Sequence, residues 1–174
     1  MRLTTLFLVA VLVTGAQVFA TSSSSQEQTY SSAKVDYVVS LPSPVWHLVG
    51  EPDKIHQHTE FIYGDRNEGF LRIRKETLPD GTTVGEFARQ DLDQKERFLP
   101  GYIGGKKEEA FSGRLNGVTI SFEYTQAGKP MTGRTYYLQA DSHTVYALRF
   151  TGMRDKLARI RNQTDLIARS FKLK

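Results

Sequence analysis

The chain has 174 residues with Lys+Arg 23 against Asp+Glu 19, no Cys, 39% hydrophobic and 24% charged residues. That balance describes one ordinary globular domain and excludes a disordered or fibrous chain. The absence of Cys also excludes a disulfide-stapled miniprotein, a cysteine zinc finger and a lipid-anchored bacterial lipoprotein.

Met1-Arg2 supplies a short positive start, Leu3 to Val13 is apolar apart from Thr4 and Thr5, and Val18-Phe19-Ala20 suits a signal peptidase. The pattern predicts a signal peptide over residues 1–20 with cleavage after Ala20. The apolar run falls short of the ~20 residues that span a bilayer, and polar residues Thr21 to Ser25 follow it without a basic stop-transfer cluster. An exported protein, periplasmic or extracellular, is therefore expected, with no transmembrane segment in its mature form. Residues 21–34 are rich in Ser and Thr, lack apolar periodicity and read as a disordered leader. The folded domain is expected over 35–174.

From Val35 the pattern alternates through Tyr37 and Val39, and Leu41-Pro42-Ser43-Pro44 leads to Val45-Trp46-His47-Leu48-Val49. Two short apolar runs joined by a proline turn predict paired edge strands. Phe61–Tyr63 and Phe70–Glu76 are the next strands, separated by the turn-forming run Gly64–Gly69. In the second, Leu71 and Ile73 point one way while Phe70, Arg72 and Arg74 point the other.

Thr83-Val84-Gly85-Glu86 is a capping box, and Val84, Phe87, Ala88, Leu92 and Phe98 recur at helical spacing. A helix over Thr83 to about Leu99, stopped by Pro100-Gly101, is predicted. Gly101-Tyr102-Ile103-Gly104-Gly105-Lys106 lacks the spacing of a phosphate loop and follows a helix, so it reads as a turn. Val118 to Thr125 alternates strictly, and Asn116-Gly117 before it predicts a two-residue hairpin turn to Glu109–Leu115. Ala127–Met131 is read as a loop, Arg134–Ala140 and Val145–Phe150 as strands. A C-terminal helix carries the apolar stripe Leu157, Ile160, Thr164, Ile167, Ala168, Phe171, with Asp155–Arg159 and Asp165–Arg169 as i,i+4 pairs. The fold class is α+β, an antiparallel β-sheet flanked by helices.

Tyr37-Val38-Val39-Ser40-Leu41-Pro42 with Trp46, the helix start Thr83–Ala88, Pro100-Gly101-Tyr102, the strand pairs and the ending Ile167-Ala168-Arg169-Ser170-Phe171 together resemble the PsbP-like superfamily. The likeness extends over about Val35 to Leu173 and implies an α/β/α sandwich around an antiparallel sheet. It also implies a non-enzymatic accessory or assembly protein that binds a larger complex. The short secretory signal points to a bacterial exported member, and no ion-binding residues carry over.

His56-Gln57-His58-Thr59-Glu60 is a weak candidate metal site, because on an extended strand His56, His58 and Glu60 project to one face. A metal-assisted hydrolase using that cluster is the enzymatic alternative, and a small-ligand carrier the other. No catalytic residue and no cofactor is otherwise expected: the chain lacks Gly-x-Ser-x-Gly and His-Glu-x-x-His. Phe70, Arg72, Arg74 and Arg134 form the expected partner-binding strip, since aromatic and Arg side chains together make interface anchors. Basic residues concentrate near the C-terminus, a second docking element for a protein complex or an anionic envelope component. Nucleic acid is not an expected partner.

Overall fold

The computed structural model describes residues 27–104 and 108–174. The expected signal peptide lies outside the described residues. Strands β1 (Gln28–Tyr30) and β2 (Tyr37–Leu41) pair with the terminal β10 (Lys172–Leu173) in a three-stranded sheet ordered β1-β2-β10. The remaining strands are β3 (Trp46–Gly50), β4 (His58–Tyr63), β5 (Gly69–Thr77), β6 (Glu108–Phe111), β7 (Gly117–Gln126), β8 (Lys129–Gln139) and β9 (Thr144–Met153). They form one antiparallel sheet ordered β3-β4-β5-β9-β8-β7-β6.

Two of these placements depart from expectation. Gln28–Tyr30 lies in the stretch read as a disordered leader, yet it is a strand. Tyr30 anchors it, with its ring edge-on to Phe61 at 5.1 Å and its hydroxyl donating to Glu51 at 2.9 Å. The second departure is that β2 and β3 do not pair but belong to different sheets. Alternation fixes which side of a strand is apolar and leaves its neighbour undetermined. Here Tyr37, Val39 and Leu41 are buried against the large sheet, and the Pro42–Pro44 segment carries the chain from one layer to the other.

One face of the large sheet presents Phe61, Leu71, Ile73, Tyr136, Leu138, Tyr146, Leu148 and Phe150 to a single apolar core. The small sheet covers it together with helices α2 (Arg154–Arg159) and α3 (Arg161–Ser170). The expected C-terminal helix is thus two, broken at Ile160, while every member of its predicted stripe is buried. Of its predicted ion pairs, Asp155–Arg159 forms at 3.8 Å, whereas Asp165 turns to Arg134 at 3.4 Å. Phe171 closes this core, with ring centroids 4.8 Å from Tyr37 and 4.9 Å from Tyr146.

The opposite face receives helix α1 (Val84–Lys95), which packs on β7 and β8. The capping box forms as read: Thr83 accepts from the Glu86 backbone N–H, and the Glu86 carboxylate accepts from that of Thr83. The helix is shorter than predicted, and Phe98 beyond it is 78% exposed instead of joining the buried stripe. Gly101, at φ +62°, turns the chain there. Covered on both faces, the sheet and its layers make an α+β sandwich.

The hairpin turns were exchanged relative to expectation. Phe111 pairs with Gly117, so residues 112–116 form a five-residue loop and Gly117 is a strand residue. A Cβ at Gly117 would stand 1.8 Å from the Tyr137 carbonyl oxygen, so close strand packing, not turn conformation, requires glycine. The two-residue turn is Ala127-Gly128, at φ +48° and +74°, because Gln126 pairs with Lys129.

Candidate functional site

On the α1 side the sheet residues are polar toward its β5–β9 centre. Strand pairing places Arg72 opposite Arg149 and Arg74 opposite Ala147, so Phe70, Arg72, Arg74 and Arg149 share that face. Asp91 of α1 reaches down to them. Its carboxylate lies 3.0 Å from Arg74 and 3.5 Å from Arg149, accepts the Tyr137 hydroxyl at 2.9 Å and is paired with Lys95. Burial alone would raise the Asp91 pKa, but the Lys95 hydrogen bond and the Arg74 and Lys95 charges outweigh it and hold the carboxyl below its ordinary value. The neighbouring Glu96 carboxylate pairs with Arg149.

Farther out, Phe70, Ile62 and Arg72 are half-buried and His47 is exposed. The Phe70 ring is flanked by two guanidinium groups, Arg66 at 4.7 Å and Arg72 at 5.4 Å from its centroid. Both arginines meet Glu60, Arg72 through Nε and Nη2 to Oε1 and Arg66 through Nη2 to Oε2 at 3.3 Å. Desolvation opposes ionisation of Glu60, yet the hydrogen bonds and charges of Arg72 and Arg66 keep its pKa lowered.

Of the four residues expected to form the partner-binding strip, the structure brings Phe70 and Arg72 together on an accessible surface. Arg74 shares their face but is largely covered and spends its guanidinium on Asp91 and on Glu76 at 2.9 Å. Arg134 lies on the other face, paired with Phe150 in register, and donates to the Tyr136 hydroxyl at 2.8 Å beside Asp165. Neighbouring strand residues alternate sides, so a one-residue difference in register moves an arginine to the opposite layer. That core-side tyrosine is pushed up to about 12 by burial and by its hydrogen bond to Asp165.

The histidine cluster does not suit a cation. His58 and Glu60 share a face, with His58 Nε2 3.1 Å from Glu60, but Glu60 is already held by two guanidinium groups that repel a metal ion. His56 precedes the strand in an exposed turn, where Asp53 accepts its backbone N–H and that of Ile55. No group of three or more ligating side chains fit for a metal occurs among the described residues. The basic C-terminal residues are also largely engaged: Arg154 with Glu123, Lys156 with Glu68, and Arg169 with the Ser112 carbonyl.

Asp91 and Arg149 were missed as members of this network. Both carried a signal in the sequence: Asp91 falls on the apolar stripe of α1, and Arg149 interrupts the apolar run Val145–Phe150. A charge at a position patterned for the core needs a partner.

The same architecture occurs in solved structures. LpqN of Mycobacterium tuberculosis, involved in cell envelope biogenesis, superposes with a TM-score of 0.58 at 16% identity, over 86% of this chain and 91% of that one. Cyanobacterial PsbP (CyanoP) of Synechocystis gives 0.56 at 14% identity, over 86% and 94%. The Saccharomyces cerevisiae Ran-binding protein Mog1p gives 0.61 at 9% identity, over 86% and 96%. This chain has the PsbP/Mog1 fold. No family model and no curated protein matches the sequence. The PsbP/Mog1 likeness is thus one of fold, and what the molecule does has to be argued from its own surface.

Proposed function

We propose that this chain is an exported, non-enzymatic binding or accessory protein that docks a larger protein complex of the cell envelope through Phe70, Arg66 and Arg72. The observation that carries the reading is the half-buried Phe70 ring with two guanidinium groups, Arg66 and Arg72, within 5.4 Å of its centroid, on β5, while α1 packs on β7 and β8. Aromatic and Arg side chains supply most of the energy at protein interfaces, and here they are preassembled, which lowers the entropy lost on binding. The cell-envelope association of LpqN and the Ran binding of Mog1p fit a fold used for binding. Export rests on the N-terminal signal pattern, and among the described residues no helix is long and apolar enough to cross a membrane. The metal-assisted hydrolase reading is weakened by the arginines on Glu60.

A photo-crosslinking residue at Phe70, compared with one at Ser142 in the β8–β9 turn, tests the docking surface in the native host. One discrete crosslinked protein from position 70, absent from position 142 and lost with Arg66→Glu, is expected. Identical products from both positions would overturn the assignment. Mass spectrometry of the same protein tests export, with Thr21 expected as the first residue.

A further inference from the structure

The seven-stranded sheet ends in two unlike edges. Among the described residues, β6 has only β7 beside it in the sheet and β3 only β4. The β6 edge carries two carboxylates, Glu108 and Glu109, and charge is a common device for keeping an open strand edge from pairing. The β3 edge, Trp46-His47-Leu48-Val49-Gly50, holds no Lys, Arg, Asp or Glu. Its apolar side chains reach solvent as well: Leu48 and Val49, with Val45 just before them, are 41%, 42% and 41% exposed.

Strand geometry shows which backbone groups are open. The Gly64 N–H donates to the Val45 carbonyl at 3.4 Å and His47 stands opposite Ile62, so Val45 and His47 direct their peptide groups to β4. Alternation along the strand then turns the Leu48 N–H and C=O to the free edge. The Trp46 N–H is taken by the Ser43 carbonyl at 3.2 Å, which leaves Leu48 as the residue that offers both a donor and an acceptor.

Charge selects a second copy of this chain as the occupant. A two-fold axis at Leu48 sets Leu48 against itself, Trp46 against Gly50 and His47 against Val49, so no charge on the strand meets its own kind. Glu51, which follows β3, is already paired with Lys34 at 3.1 Å and accepts from Tyr30 at 2.9 Å. The same operation at β6 would bring the Glu108 and Glu109 carboxylates of two copies together.

We propose that two copies of this chain associate through β3, antiparallel across a two-fold axis at Leu48, so that the sheet continues from one copy into the other. A strand this short makes a weak, concentration-dependent dimer. The axis is perpendicular to the joined sheet, so both Phe70 rings face the same side, about 24 Å apart over five strand spacings. This inference goes beyond the docking reading and does not rest on it.

Sedimentation velocity of the purified protein from about 5 μM to about 1 mM tests the proposal, with a monomer–dimer equilibrium expected. Leu48→Lys places like charges across the axis and should raise the dissociation constant at least about tenfold. Its melting temperature at low concentration should not change, because the side chain is exposed. The chain has no Cys, so Leu48→Cys supplies one thiol that meets its own copy. Its disulfide-linked dimer should form in air at least about tenfold faster than that of Ser142→Cys in the β8–β9 turn. A protein that stays monomeric at about 1 mM, a dimer indifferent to Leu48→Lys, or equal crosslinking rates for the two thiols would each overturn the inference. A monomer whose Leu48 position crosslinks to a different protein in the host would also overturn it, assigning the edge to a partner strand. Arg66→Glu should leave the equilibrium within about threefold, so loss of the Phe70 crosslink with the dimer intact removes only the docking reading. A monomer that keeps that crosslink removes only the self-association.

Discussion

The two faces of the seven-stranded sheet are built on different chemistry. On the face under α2, α3 and the small sheet, aromatic rings fill most of the space, with hydroxyl contacts such as Tyr37 donating to Thr59 at 2.6 Å and one charged pair, Arg134 with Asp165, toward its margin. On the α1 face an apolar patch around Ala88, Leu92, Phe122 and Tyr137 gives way to a network of Arg74, Arg149, Asp91 and Glu96. Apolar burial needs only shape, so the rings at the centre of the first face are almost wholly buried. Charged side chains need partners at defined distances, and the second face therefore ends in half-buried arginines that are positioned but not fully covered. Apolar packing dominates one side and paired charge the other.

That contrast can be broken most strongly by Phe171→Ala. The ring is fully buried between Tyr37 and Tyr146, and its removal is expected to cost about 4 kcal/mol in urea unfolding. Asp91→Ala should come next, at about 3 kcal/mol, because it leaves Arg74 and Arg149 buried without their shared carboxylate. The same residue gives the α1 face a pH dependence. Its folded-state pKa is depressed, so ionised Asp91 stabilises the fold above the ordinary carboxylate value of about 4, and that contribution fades as pH falls through the folded value. The stability gap between the unaltered chain and Asp91→Asn should accordingly shrink between pH 6 and pH 3, measured by urea midpoints. A gap that is constant with pH would show that Asp91 acts through packing alone.

Smaller effects sharpen the comparison. Thr83→Ala removes the side-chain cap of α1 and should cost about 1 kcal/mol while leaving the aromatic core intact, seen as unchanged near-ultraviolet dichroism. Phe98→Ser should change stability by less than about 0.5 kcal/mol, since the ring is largely exposed, with the Arg97 guanidinium 5.4 Å from its centroid.

Much of the fold was legible because its signals are local. The alternation in Val118–Thr125, the capping box at Thr83 and the buried stripe of Leu157, Ile160 and Ile167 each depend on residues a few positions apart. The candidate site was legible in part. Phe70 and Arg72 lie on one strand, two residues apart, and strand geometry alone puts them on one face. Arg134 was misplaced because its position relative to them depends on the register of three strands, β5, β9 and β8. Asp91 and Arg149 could have been singled out as charges on apolar patterns, but nothing nearby in the chain shows that they meet.

What the sequence by itself determined was the α+β class, the direction each strand side faces and the start of α1, since backbone geometry imposes periods of two and about 3.6 on any chain that must hide its apolar side. Tertiary structure decided which strands are neighbours. It joined the N-terminal β1 and β2 to the last residues of the chain, separated β2 from β3, and moved the tight turn from Asn116-Gly117 to Ala127-Gly128. It also set Asp91 over Arg74 and Arg149 and left Phe70 between Arg66 and Arg72. Those choices turn on long-range packing, where many pairings satisfy the same local pattern and only the mutual fit of layers and charges selects one.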